Sequence, residues 1–172
     1  NYLQEALSKQ EALAHLPDIE WHFIGPIQSN KTRDIAEHFD WVHSVDRLKI
    51  AQRLNDQRPT PLGHLNVCLQ VNLDAEDSKA GVSLQELPDL ARKVSQLPNR
   101  SLRGLMAIPA PREEQAAQRA SLARLRQALE DLRAQGLALD TLSMGMSADL
   151  EAAVAEGATL VRVGTDIFGP RS

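Results

Sequence analysis

Short apolar runs of β character alternate along this chain with longer segments whose apolar residues recur every three or four positions, and no other feature narrows the fold as far. The runs are "WHFIG" (21–25), "WVHSV" (41–45), "LNVCLQVNL" (65–73), "LRGLMAI" (102–108), "TLSMG" (141–145) and "LVRVG" (160–164). Between them, Leu122, Leu125, Leu129 and Leu132 form one helical stripe, and Leu84, Leu87, Ala91, Val94 and Leu97 form another. Leu48, Ile50, Ala51 and Leu54 predict a third helix, and Leu150, Ala153 and Val154 a fourth that stops at Gly157. Pro88 is compatible with its helix only in the first turn, where the missing N–H is not needed. Strict alternation implies parallel strands joined by right-handed crossovers, hence an α/β sheet or a closed barrel. Spread over 172 residues, six βα units take about 29 residues each, close to the unit of a ~250-residue eight-fold barrel. An open doubly wound sheet accounts for the same alternation.

Composition removes several classes of function. Nineteen Lys plus Arg against 23 Asp plus Glu leaves a net charge of −4, with the signs interspersed, so nucleic acid is not an expected partner. No apolar run approaches the ~18 residues of a membrane span. One cysteine, Cys68, excludes an internal disulfide framework and points to a reducing, cytoplasmic setting. The chain opens on Asn1-Tyr2 without a signal-peptide pattern, and the expectation is that its true beginning lies upstream.

Two places carry candidate chemistry. Ser147 stands where "TLSMGM" gives way to a helix; its hydroxyl and the first-turn amides suit a phosphate oxygen. A serine there equally serves as an ordinary N-cap, with Asp149 answering the helix dipole. Gly164-Thr165 repeats the arrangement after the next run, followed by the short "DIFG" turn. In eight-fold barrels the recurrent phosphate site is built from the loops after the last two strands with an extra helix N-terminus. Arg162 is hard to explain as structure alone, because "LVRVG" reads as a strand buried on both faces, where an unpaired charge costs several kcal/mol. Its spacing from Gly164 turns it toward the same side, as a partner for an aromatic phosphorylated ligand. His15, His22, His38, His43 and His64 show no paired ligand spacing, so no metal is expected. Lys31, just after a run, could line the same rim but reads more simply as an exposed loop lysine, Lys79 reads as solvated in an acidic turn, and no G-x-S-x-G, Walker or G-x-G-x-x-G motif is present.

Taken as successive blocks, "NYLQEAL", "WHFIGPIQSNK", "FDWVHSVDRLKIAQRLN", "VNLDAEDSKAGV", "RGLMAIPAP" and "LSMGMSADLEAAVAEGATLVRVGTDIFG" resemble the pyridoxal phosphate homeostasis proteins, single-domain relatives of the alanine racemase barrel. The resemblance implies a TIM-type (β/α)8 barrel of the alanine racemase N-terminal type, with about six of its eight units in residues 1–172 and the first two strands upstream. It also implies pyridoxal 5′-phosphate at the C-terminal ends of the strands. Ser147, Gly164 and Thr165 match the positions that hold the phosphate, Arg162 the one that faces the pyridine nitrogen, and Asn1, Met144 and Met146 positions near the cofactor. The family's Schiff-base lysine lies upstream of "NYLQEAL", and none of Lys9, Lys31, Lys49, Lys79 or Lys93 matches it. The activity implied is buffering and delivery of the cofactor, without a substrate reaction, by a monomer or weak dimer that passes it to pyridoxal-phosphate-dependent enzymes. An amino-acid racemase or decarboxylase, and a barrel for another phosphorylated metabolite, are the competing readings.

Overall fold

The computed structural model of the chain describes residues 2–76 and 79–172. All six expected strands are present: β1 (His22–Phe23), β2 (Trp41–Val45), β3 (Leu65–Gln70), β4 (Arg100–Met106), β5 (Thr141–Met146) and β6 (Leu160–Arg162). They form one sheet in the order β1-β2-β3-β4-β5-β6, every neighbouring pair parallel. A doubly wound sheet would reverse its order at a switch point. This one advances in a single direction, as a barrel does.

The curl of the sheet follows from one contact. His43 on β2 and Ser143 on β5 approach to 2.6 Å, although β3 and β4 lie between their strands. Three interstrand steps on a flat sheet would hold them roughly 14 Å apart. The strands therefore wrap around an interior, and β1 and β6 form the two edges of an incomplete (β/α) barrel.

The predicted helices appear as α3 (Leu48–Gln57), α4 (Leu87–Ser95), α5 (Gln115–Ala134) and α6 (Leu150–Ala155), with Pro88 in the first turn of α4 as required. Their stripes, among them Leu54, Val94, Leu125 and Leu132, are buried against the outer face of the sheet. Full burial of each such side chain is worth about 1.5–3 kcal/mol. On α6 the apolar residues divide differently from the expectation: Ala152 and Ala153 are buried and Val154 is 60% exposed. Small residues are what let α6 lie close to β5.

Two helices have no counterpart in the sequence reading. Along α1 (Leu3–Ala12) no residue is fully buried, so its apolar stripe is weak. The second, α2 (Thr32–His38), is short, and its C-terminal end is held from a distance. The buried Arg58 donates to the carbonyls of Ala36 and Phe39, each at 2.7 Å, placing a cation where the helix dipole is negative. No helix among the described residues is long and apolar enough to cross a membrane.

Candidate functional site

The site is built where β5 and β6 end. Gly145 has φ +102°, and a Cβ there would come within 2.5 Å of the Ala153 side chain. Its backbone freedom permits the register shift between Ser143 and Met146. Ser143 thus turns inward while Met146, 43% exposed, stands at the rim. Beyond it, residues Ser147–Asp149 form a 3-10 turn. The Asp149 carboxylate accepts the Met146 N–H at 2.7 Å, so its charge is used by its own loop. Ser147 departs from the expected capping role. Its hydroxyl accepts the N–H of Asp166 at 3.2 Å, joining this turn to the first turn of α7 (Thr165–Phe168).

Arg162 comes from β6, which is less enclosed than the apolar run suggested. Leu160 and Arg162 are half-buried and Val161 is exposed, because β6 pairs only with β5 among the described residues. The guanidinium nonetheless lies inside. It donates to Ser143 Oγ at 2.6 Å and to the Ala107 carbonyl at 3.0 Å, and its Nε is buried without a partner. Burial pushes its pKa down from the ordinary range, but a guanidinium remains a cation.

Arg162, Met146, Ser147, Gly164 and Thr165 line one wall of a cavity of about 1110 Å³ at the C-terminal ends of the strands. Facing them are the end of β1 and the segment after it, including Phe23, Gly25 and Ile27. Lys31 lies on that side, half-buried, rather than free in solvent as its sequence context suggested. Gly164 has an ordinary φ of −122°, and a Cβ on it would meet nothing within 4 Å. The chain's own conformation therefore does not require glycine there, whereas a ligand approaching the backbone would.

Met144 does not reach the cavity. It is fully buried in the core between the sheet and the helices, one residue out of phase with Ser143. Asn1 lies outside the described residues. Lys79, expected to be solvated, stands 3.5 Å from Glu76 and 3.9 Å from Asp74, beside a second cavity of about 550 Å³ that shares Ile108, Met146 and Thr165 with the first. Asp34, Glu37 and His38 bring ligand atoms within 4.8 Å of one another on the surface of α2, as side chains at helical spacing do without an ion.

The residues the sequence reading passed over are those behind Arg162. His22 and His43 bond to each other at 2.8 Å, His43 to Ser143 at 2.6 Å, and His22 to Glu20 at 2.9 Å. Burial, with lesser contributions from His22 and Arg162, pushes the His43 pKa down to about 3, so its ring is neutral. The signal was a histidine at the centre of "WVHSV", a strand buried along its whole length; a test for metal ligands could not detect a side chain whose partner is a serine 100 residues away.

Residues 1–172 match the alanine racemase N-terminal domain family. The chain is 68% identical over 171 residues to the pyridoxal phosphate homeostasis protein of Pseudomonas aeruginosa, covering 99% of this chain and 73% of that protein. To the pyridoxal phosphate homeostasis protein of Escherichia coli strain K12 it is 53% identical over 173 residues, covering 99% and 74%. Among solved structures, PipY of Synechococcus elongatus with PLP bound superposes with a TM-score of 0.91 at 43% identity, covering 98% of this chain and 79% of that one.

Proposed function

The chain belongs to the pyridoxal phosphate homeostasis protein family, and from that premise we propose that its cavity binds pyridoxal 5′-phosphate for storage and release, without turning over a substrate. The observation that carries this reading is a buried guanidinium and the hydroxyls of two residues that begin helical turns after β5 and β6, lining a single cavity together with an otherwise unrequired glycine. Such a lining fits an aromatic ring that bears a phosphate.

In this reading Ser147 and Thr165 donate hydroxyl hydrogens to the phosphate, and Gly164 lets it approach the backbone. Met146 packs at the rim. Arg162 presents a permanent positive charge to the ring nitrogen. When bound, pyridoxal phosphate supplies a reactive aldehyde and an electron-withdrawing ring, and the second property is strongest with its nitrogen protonated. A guanidinium at that position opposes the proton, so binding is favoured and catalysis disfavoured. Residues 1–172 act as one α/β-barrel domain, and the recipients are pyridoxal-phosphate-dependent enzymes of the cytoplasm.

Calorimetric titration with pyridoxal phosphate, pyridoxal and inorganic phosphate tests the proposal. Pyridoxal phosphate should bind more tightly than either fragment, and Ser147→Ala with Thr165→Val should weaken it about a hundredfold, roughly tenfold for each charge-assisted hydrogen bond lost. Equal affinity for inorganic phosphate, or an unaffected double variant, would return these residues to capping and loop-joining roles. In deuterated water the chain with pyridoxal phosphate should exchange the α-proton of alanine or serine no faster than the free cofactor. Exchange at enzymatic rates would establish the racemase or decarboxylase reading instead.

A further inference from the structure

Behind the cavity wall runs an unbroken chain of hydrogen bonds: Arg162 to Ser143 at 2.6 Å, Ser143 to His43 at 2.6 Å, His43 to His22 at 2.8 Å, and His22 to Glu20 at 2.9 Å. Its direction is decided at both ends. A guanidinium only donates, and an ionised carboxylate only accepts. Ser143 is fully buried, and its Oγ has two partners, Arg162 and His43. Having accepted from Arg162, its own hydrogen can be used only by a bare Nδ1 on His43. His43 is then protonated at Nε2 and donates to Nδ1 of His22, which leaves His22 protonated at Nε2 and donating to Glu20. Four bonds are filled by four hydrogens, one each, all pointing from Arg162 toward Glu20.

The surroundings favour this single arrangement. His22 is stacked on Trp41 at 5.3 Å between ring centroids, nearly parallel, so its ring plane is fixed. The nearby cations are Arg162 itself and Arg103, which sits over the Trp41 ring at 4.7 Å. A charged His43 would add a third positive charge to an enclosed space. Neither His22 nor Glu20 borders the cavity.

We propose that Ser143, His43 and His22 are positioning residues for ligand binding: anchored at Glu20 on the far end of the barrel, they form a one-directional relay that holds the Arg162 guanidinium at the cavity wall. The assignment to pyridoxal phosphate rests on the functional reading above; the relay itself is a property of the unliganded chain. It makes the ligand's affinity depend on residues that never touch it.

The test has two arms. In protein labelled with ¹⁵N-histidine, two-bond ¹H–¹⁵N correlation reads the tautomers without ligand. His43 and His22 should both carry hydrogen on Nε2 with Nδ1 bare. His22→Phe keeps an aromatic ring against Trp41 but removes the acceptor for His43. It should abolish the single His43 tautomer and weaken pyridoxal phosphate several-fold, with unchanged circular dichroism reporting the fold. Ser143→Ala should do the same from the other side, and Ser143→Thr should restore both readouts. Ser147→Ala should weaken binding while leaving the tautomers untouched. Hydrogen on Nδ1 of His43, or His22→Phe and Ser143→Ala proteins that bind pyridoxal phosphate and keep the single His43 tautomer as the parent does, would overturn the relay. If the parent chain binds no pyridoxal phosphate, the functional reading fails, and the tautomers alone decide the relay.

Discussion

Leu142 and Ser143 are neighbours on β5, both buried, and they look onto two different interiors. Leu142 faces the helices, with Met144, Leu105, Leu125 and Ala153 in one apolar cluster. Ser143 faces the inside of the curled sheet, where Trp41, Cys68, Met106 and Leu160 form a small apolar patch beside two histidines and an arginine. The outer layer is held by non-directional burial, which tolerates a change of side chain if volume is kept. The inner layer is held by directional bonds among groups whose burial alone would be unfavourable. A polar interior of this kind serves a ligand site because it fixes a charge in place without surrounding it with water.

The largest test of that contrast is a cavity in the outer layer. Leu105→Ala, at a fully buried β4 position, should lower unfolding free energy by about 2–5 kcal/mol, read by urea denaturation. Its inner counterpart should show in pH dependence. The folded-state pKa of His43 is lowered to about 3 from an ordinary 6.5, so the unfolded chain takes up that proton first. The stability contributed by keeping the ring neutral is present above pH 6.5 and is lost progressively as pH falls toward 3. The loss is on the order of 4 kcal/mol by linkage. His43→Asn should flatten the curve between those limits, and an unchanged slope would show that other groups produce it.

A smaller effect is expected at the opposite end of the barrel. Arg103 pairs with Asp140 at 2.8 Å and lies over Trp41, and Arg103→Met should cost about 1 kcal/mol, since both groups are partly in water. A loss several times larger would make that end as tightly organised as the relay. Smallest of all should be the response of Cys68 to thiol reagents. Burial pushes its pKa up to about 12, leaving almost no thiolate. The native chain should not react with a disulfide reagent, and rapid labelling would mean that the inner layer opens.

The strands were legible because in a barrel they are apolar runs bounded by polar turns, and burial of both faces leaves that signature in the sequence. Their C-terminal limits were read too long at β1, β3, β4 and β6. The residues just beyond, such as Leu73, Ile108 and Val163, are apolar because they pack on the core or line the cavities, with no strand partner. Ser147, Gly164 and Thr165 were singled out from their positions at the ends of consecutive apolar runs and Arg162 as a charge inside one, and all four line one cavity. Met144 differs: the family resemblance matched it, with Met146, to a position near the cofactor, but it is buried in the core on the helix side of the sheet, while Met146, beyond the irregularity at Gly145, stands at the rim.

By itself the sequence determined the six strands, four of the helices and the parallel arrangement, and it pointed to the end of the sheet that carries the candidate site, because these depend on periodicity and on residues close together along the chain. Tertiary structure alone decided what stands behind the site. That Arg58 caps α2 depends on the packing of neighbouring helices, and that Arg162 is linked through Ser143, His43 and His22 to Glu20 requires the curvature of the sheet. Curvature brings β2 within one hydrogen bond of β5, and no local pattern encodes a contact between residues 100 positions apart.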